Sequence, residues 1–170
     1  MDWYLLAPGP SMSRELADSV RGKSVGVVTA AFKLAPWADF LAANDRSWWM
    51  AHKDANEFEG RKFSASDIRG VEKIPRSGGI GTSTNSGVLA LEVAKQMGAT
   101  KIALLGFDMH GSHYFGPYTC GLSNTTQDRR NVHLRQYERW ARENPSVDVV
   151  NCTEGSNLRC FRMGSLDQCF

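Results

Sequence analysis

Two stretches near the start decide the fold: Trp3-Tyr4-Leu5-Leu6-Ala7-Pro8-Gly9-Pro10-Ser11 and, after a polar interval, Ser24-Val25-Gly26-Val27-Val28. The first is an apolar run that stops at a Gly-Pro turn, as a buried strand does. Ser11 or Ser13 is placed to cap a helix whose apolar face is Leu16, Ala17 and Val20, and Gly22 closes it. The second stretch is β-branched and uncharged apart from its flanks, the pattern of a strand buried on both faces. Strand, turn, helix and strand in that order make a βαβ unit, and βαβ units build parallel sheets.

The same alternation continues along the chain. A third strand is expected after Pro36, within Trp37–Ala42, and Asp45 can cap a short helix carrying Trp48, Trp49 and His52. Between 54 and 75 charge and apolarity alternate without a clear period, leaving Arg61–Ser64 and Val71–Ile74 as weak strand candidates. The glycine-rich loop 78–87 leads into a helix with Leu89, Val93 and Met97 at i, i+4 and i+8, ended by Gly98. Lys101-Ile102-Ala103-Leu104-Leu105-Gly106-Phe107 is the strongest strand, and Asp108 ends it. A helix is expected over 126–143, stopped by Pro145, and a last strand over 147–151, followed by an irregular tail. The reading is a three-layer α/β, Rossmann-like domain spanning residues 1–170, with Leu104 and Val27 fully buried on neighbouring or near-neighbouring parallel strands.

Composition agrees with a globular domain. The 170 residues are 42% apolar and 22% charged, which excludes a disordered chain, and the glycines have no triplet period, which excludes collagen. A domain of this length buries roughly 70% of its unfolded surface. No apolar run reaches the ~20 residues of a membrane-spanning helix, and Met1-Asp2-Trp3 does not open a signal peptide. A net charge of +2 supplies no field for nucleic acid. Cys120, Cys152, Cys160 and Cys169 form no C-x-x-C pair, so four reduced thiols and a cytoplasmic setting are expected.

A parallel sheet of this kind binds ligands outside the carboxyl ends of its strands. That rule selects the loops Ala7–Ser11, Thr29–Phe32, Asp108–Tyr118 and Asn151–Ser156, together with 78–87. In the first, Gly9 permits close backbone approach, Pro10 fixes the turn, and Ser11 offers a hydroxyl beside a helix start, a setting for phosphate. Asn85-Ser86-Gly87 opens a second helix, and two helix starts at one crevice would cradle a nucleotide phosphate. Bulk at Gly9 or Gly87 is then expected to block the ligand at a modest cost in stability. In Asp108-Met109-His110-Gly111-Ser112-His113-Tyr114, His113 is the candidate general base, Asp108 orients it or the acceptor, and Tyr114 reaches a phosphate oxygen. Each of these also reads as a ligand-free turn, cap or packed loop. Asp108, His110 and His113 form an alternative metal-ligand set without a diagnostic spacing. Trp37, Trp48, Trp49 and His52 read as core or as a stacking surface, and the arginines from Arg129 to Arg142 as a solvated helix face.

Together the motifs resemble those of the bacterial sialyltransferases of the Campylobacter type. Gly9-Pro10-Ser11 is similar to the end of their G-N-G-P-S signature. Thr84-Asn85-Ser86-Gly87-Val88, running on to Lys101–Asp108, is similar to their T-S-G-V…K-E-I-Y-L-x-G-x-D segment, and His113-Tyr114-Phe115-Gly116 to their H-Y-x-G. The same skeleton occurs in the archaeal hydroxymethylpterin diphosphokinases. Small bacteriophage and prophage proteins resemble it further, in Leu34-Ala35-Pro36-Trp37-Ala38-Asp39, Asp45 with Trp48-Trp49, Leu104–Met109 and Val150-Asn151-Cys152. The resemblance implies a phage-encoded chain in the host cytoplasm whose Gly9, Ser11, Ser86 and Gly87 contact a nucleotide, with Tyr114 on its phosphate. Three family positions differ: Pro8 and Ala30 replace two nucleotide-binding asparagines, and Pro117 replaces the family's base. The expected activity is that of a glycosyltransferase-like transferase dependent on a nucleotide or nucleotide-sugar small molecule. The alternatives are metal-dependent diphosphotransfer or phosphohydrolysis, with a divalent metal at Asp108, and non-catalytic sequestration of a nucleotide.

Overall fold

The computed structural model describes residues 2–74 and 85–168. Its strands are β1 (Asp2–Leu6), β2 (Ser24–Val28), β3 (Phe40–Ala42), β4 (Arg61–Ser64), β5 (Glu72–Lys73), β6 (Lys101–Leu105), β7 (Asp148–Asn151) and β8 (Arg162–Met163). Its helices are α1 (Arg14–Asp18), α2 (Arg46–Ala51), α3 (Ser86–Gln96) and α4 (Gln127–Glu143), with short 3-10 turns at Thr29–Lys33, Lys53–Glu57 and Leu166–Gln168. The strands form one sheet in the order β5-β4-β3-β2-β1-β6-β7-β8, and every pairing is parallel.

Side chains alternate across this sheet because successive strand residues face opposite sides. Trp3, Leu5, Ile102 and Leu104 pack with Leu89, Leu91, Tyr137 and Trp140 on the face covered by α3 and α4. Tyr4, Leu6, Val25, Val27 and Leu105 pack with Ala17, Val20, Trp48 and Trp49 on the face covered by α1 and α2. The result is a three-layer, Rossmann-like α/β domain. Leu104 opposes Leu5 and Val27 opposes Leu6, so both lie beside β1, and both are fully buried.

The order of strands reverses at β1. The chain lays β2 to β5 outward on one side, then crosses over through α3 to place β6 on the other side of β1. Ligand crevices form where the order reverses, because the connections leave the two strand ends in opposite directions. Here the reversal lies between the carboxyl ends of β1 and β6. Their exits are fastened together: the Ala7 N–H donates to the Leu105 carbonyl (2.8 Å) and the Gly9 N–H to the Gly106 carbonyl (3.0 Å).

One expectation is corrected by the tail. Cys152 is disulfide-bonded, while Cys120 and Cys160 are free thiols. Cys152 and Leu166 both pack against the apolar cluster on the α1/α2 face of the sheet. Among the described residues no helix is long and apolar enough to cross a membrane.

Candidate functional site

A crevice of about 640 Å³ opens at the β1/β6 reversal. Pro8 and Gly9 from the β1 exit form its floor with Gly106, Phe107 and Asp108 from the β6 exit. The α3 start contributes Asn85, Ser86 and Gly87, and the loop after β6 contributes His110 to His113. Pro10, Ser11 and Tyr114 do not line it. The expected residues are therefore brought to one place, but only part of the set faces the cavity. The part of the glycine-rich loop at 78–84 lies outside the described residues.

The hydroxyls of Ser11 and Tyr114 are engaged within the protein. Ser11 Oγ donates to Asp108 Oδ2 at 2.8 Å, and the Ser11 N–H points at the same oxygen at 3.4 Å. Asp108 is 3% exposed, its carboxylate pins the Pro8–Ser11 turn, and it also lines the cavity. Tyr114 donates from its hydroxyl to the Ala30 carbonyl (3.1 Å) and from its N–H to the Pro8 carbonyl (3.0 Å), which fixes the loop over the strand ends. Helix α1 is only five residues long and starts at Arg14, capped by Ser13, so it presents no helix start to the cavity. That place is taken by α4, whose N-cap Thr126 lines the crevice opposite the start of α3.

The two glycines are also required by packing. A Cβ on Gly9 would lie 2.0 Å from Asp108 Oδ2 and 2.3 Å from the Gly106 carbonyl oxygen. On Gly87 it would lie 1.8 Å from the Tyr137 hydroxyl. The modest stability cost expected for bulk at these positions therefore does not hold, because each side chain would displace fixed protein atoms. Ser86 is tied as well: its Oγ accepts from the Asn44 N–H at 3.0 Å and locks α3 to the end of β3. Asn85 Oδ1 accepts from the Gly87 N–H (2.9 Å) and from the Tyr137 hydroxyl (3.2 Å).

His113 has the geometry of a base. Its Nδ1 lies 3.2 Å from the Gly116 carbonyl oxygen, which can only accept, so Nδ1 carries the proton and Nε2 keeps its lone pair. Burial lowers its pKa, Gly116 pulls the other way, and the charge of Arg130 lowers it further. His113 therefore stays neutral at pH 7. Its ring stacks on Phe115 (4.8 Å between centroids) and leans on Tyr118 (4.4 Å), which joins the buried Trp48–His52 stack through His52. Trp48 and Tyr118 give the cavity an aromatic wall, while Trp49 is core and donates from its indole to the Ala43 carbonyl. Asp108, His110 and His113 do not converge: among the described residues no three His, Cys, Asp or Glu side chains form a metal-ligand group.

Several lining residues are absent from the sequence expectation. Arg129, His133 and Tyr137 are one helical turn apart along α4, and with Arg130 they turn one face of that helix into a basic wall. The i, i+4, i+8 spacing was visible, but charge alone reads as solvated surface until a neighbour covers the helix. Arg130 donates to the Gly111 carbonyl and so holds the loop before His113. Burial, reinforced by Arg129, lowers His133 to about 4. Across the cavity, Asp45 at the start of α2 is raised by partial desolvation, and Arg129 opposes that shift. Thr29 follows β2 with φ +44°, and Met109 follows β6 with φ +58°. A β-branched residue in the left-handed region is strained, and such strain gathers at ligand sites.

Comparison of the chain with protein-family models, curated proteins and solved structures gives no match in any of the three. The fold and its crevice define the chain as a Rossmann-like α/β protein with a ligand-sized cavity at the strand-order reversal.

Proposed function

We propose that this protein is a nucleotide- or nucleotide-sugar-dependent transferase, glycosyltransferase-like, with His113 as its general base. The observation that carries the reading is the neutral His113, its tautomer set by the Gly116 carbonyl, on a cavity that also holds Arg129 and Arg130. In this reading a nucleotide lies between the starts of α3 and α4, with its base or sugar against Trp48 and Tyr118. His113 Nε2 removes the proton from an acceptor hydroxyl; the acceptor oxygen then bonds to the transferred group as the nucleotide phosphate leaves with its bonding electrons. The resemblance of Gly9–Ser11, Asn85–Gly87 and His113–Gly116 to the sialyltransferase motifs supports the same class, and the phage resemblance supports a phage source.

His113→Gln is the test. Nucleotide-sugar affinity should stay within a few-fold while nucleotide release falls by roughly 10²–10⁴-fold, the usual contribution of a general base. Undiminished release would remove His113 from the mechanism. A second reading, nucleotide binding without turnover, is favoured by Pro8, Ala30 and Pro117 at positions the resembled family uses. Saturable binding with no release under any acceptor would identify it.

A further inference from the structure

The basic wall gives the cavity a polarity. Two helices of 11 and 17 residues, α3 and α4, start at it, and each directs the positive end of its dipole there. Arg129 and His133, one turn apart on α4, line the same cavity as Ser86 and Gly87. Nε2 of His133 is shielded from solvent and has no hydrogen-bond partner, which is costly for a polar atom unless a ligand or a proton changes its state.

We infer that the Arg129–His133 turn of α4 seats the phosphate part of the ligand, and that His133 takes up a proton from solvent as the anion binds. The inference rests on the reading of the cavity as a nucleotide site and adds where its phosphates lie. Among the described residues, the other charged and titratable groups lining the same cavity are Asp45, Asp108, His110, His113, Arg129 and Arg130, with Tyr118 and Tyr137 kept neutral by burial. Burial is the main bar to protonation of His133 in the empty cavity and the charge of Arg129 adds to it; a phosphate between Arg129 and α3 supplies the opposite charge that offsets both. Two carboxylates already face the cavity, so an anion is held against them only by concentrating its contacts on the α4 side.

His133 is neutral above about pH 4 in the empty protein and returns toward the ordinary imidazole value near ~6.5 when the anion is bound. Between those values binding takes up a fraction of a proton and tightens as pH falls. Above pH ~8 no uptake remains.

Calorimetric titration with inorganic pyrophosphate and with the common ribonucleoside diphosphates, at pH 6 and 8 in buffers of different ionisation enthalpy, tests this. Uptake is expected at pH 6 only. It should vanish in His133→Gln and persist in His113→Gln, and Arg129→Gln should weaken both kinds of ligand by roughly ten- to a hundredfold. Should His133→Gln not fold, the imidazole proton signals of His133 in the unsubstituted protein, followed as pyrophosphate is added, give the same reading. Absence of uptake, uptake that survives in His133→Gln, or unchanged affinity in Arg129→Gln overturns the inference. Pyrophosphate binding as tightly as every nucleoside diphosphate, with uptake intact, would leave the inference standing and end the nucleotide reading.

Discussion

At the scale of single residues, two glycines separate packing from ligand binding. Gly87 faces a side-chain hydroxyl, that of Tyr137, whereas Gly9 faces a backbone carbonyl and a buried carboxylate. Overpacking of this kind costs roughly 1–3 kcal/mol. Gly87→Ala should therefore lose stability in urea unfolding, and Tyr137→Phe added to it should restore part of the loss by removing the clashing oxygen. No comparable second change relieves Gly9→Ala, because the main chain of Gly106 cannot be trimmed. A double variant no more stable than Gly87→Ala alone would contradict the contact. The histidines make a second prediction. His133 is lowered to about 4 and His113 is lowered as well, so the unfolded chain binds protons that the folded one refuses. Stability should be full above pH ~6.5 and fall as pH drops toward 4, by roughly 1–3 kcal/mol for His133. His133→Gln should flatten that limb of a plot of Tm against pH; an unchanged slope would remove His133 as its source.

Elements carry the site through their ends. The β6 exit is braced by the segment after β7: Thr153 Oγ1 accepts from the Phe107 N–H, the Ser156 hydroxyl donates to the Phe107 carbonyl, and the Asn157 N–H donates to the Asp108 carbonyl. Thr153→Val should thus cost about 1–3 kcal/mol by leaving a buried N–H without an acceptor. The same segment begins with Cys152. Alkylation of the protein unfolded without reductant should modify Cys120 and Cys160 and spare Cys152. Labelling of Cys152 under those conditions would restore the reduced state that the cysteine spacing alone implied. Elements also show where the sequence was legible. β1, β2 and β6 have apolar cores, β7 a β-branched Val149–Val150 pair, α3 a clear period and a closing glycine, and these were readable. β5 and β8 are two residues each, too short to carry a period, and β5 is fastened to β4 partly by the exposed Arg61–Glu72 pair. Of the two serines able to cap the five-residue α1, Ser13 does so, and Ser11 serves Asp108 instead. The face of α4 was misread for a different reason: Arg129 and His133 acquire their meaning only from what the fold sets opposite them.

For the molecule as a whole, the central claim is positional. The chain reverses its strand order between β1 and β6, and the cavity, the basic wall of α4 and His113 all meet there. A cavity at the carboxyl ends of the strands was legible from the βαβ pattern, whereas the reversal between β1 and β6 shows only in the strand order. Its chemistry was legible only in part: the Thr29 and Tyr118 loops were selected and line the cavity, Ser11 and Tyr114 spend their hydroxyls on the scaffold, and Asp45 and the α4 stripe complete the wall. The most direct measurement is amide chemical-shift mapping of the protein as ribonucleoside diphosphates and nucleotide sugars are added. The account predicts saturable shifts concentrated at Thr29, Ser86–Gly87, Gly111–His113 and Arg129–His133. Shifts confined to the far ends of the strands, around Pro145–Val149, would contradict it, as would the absence of saturable shifts with every one of these ligands.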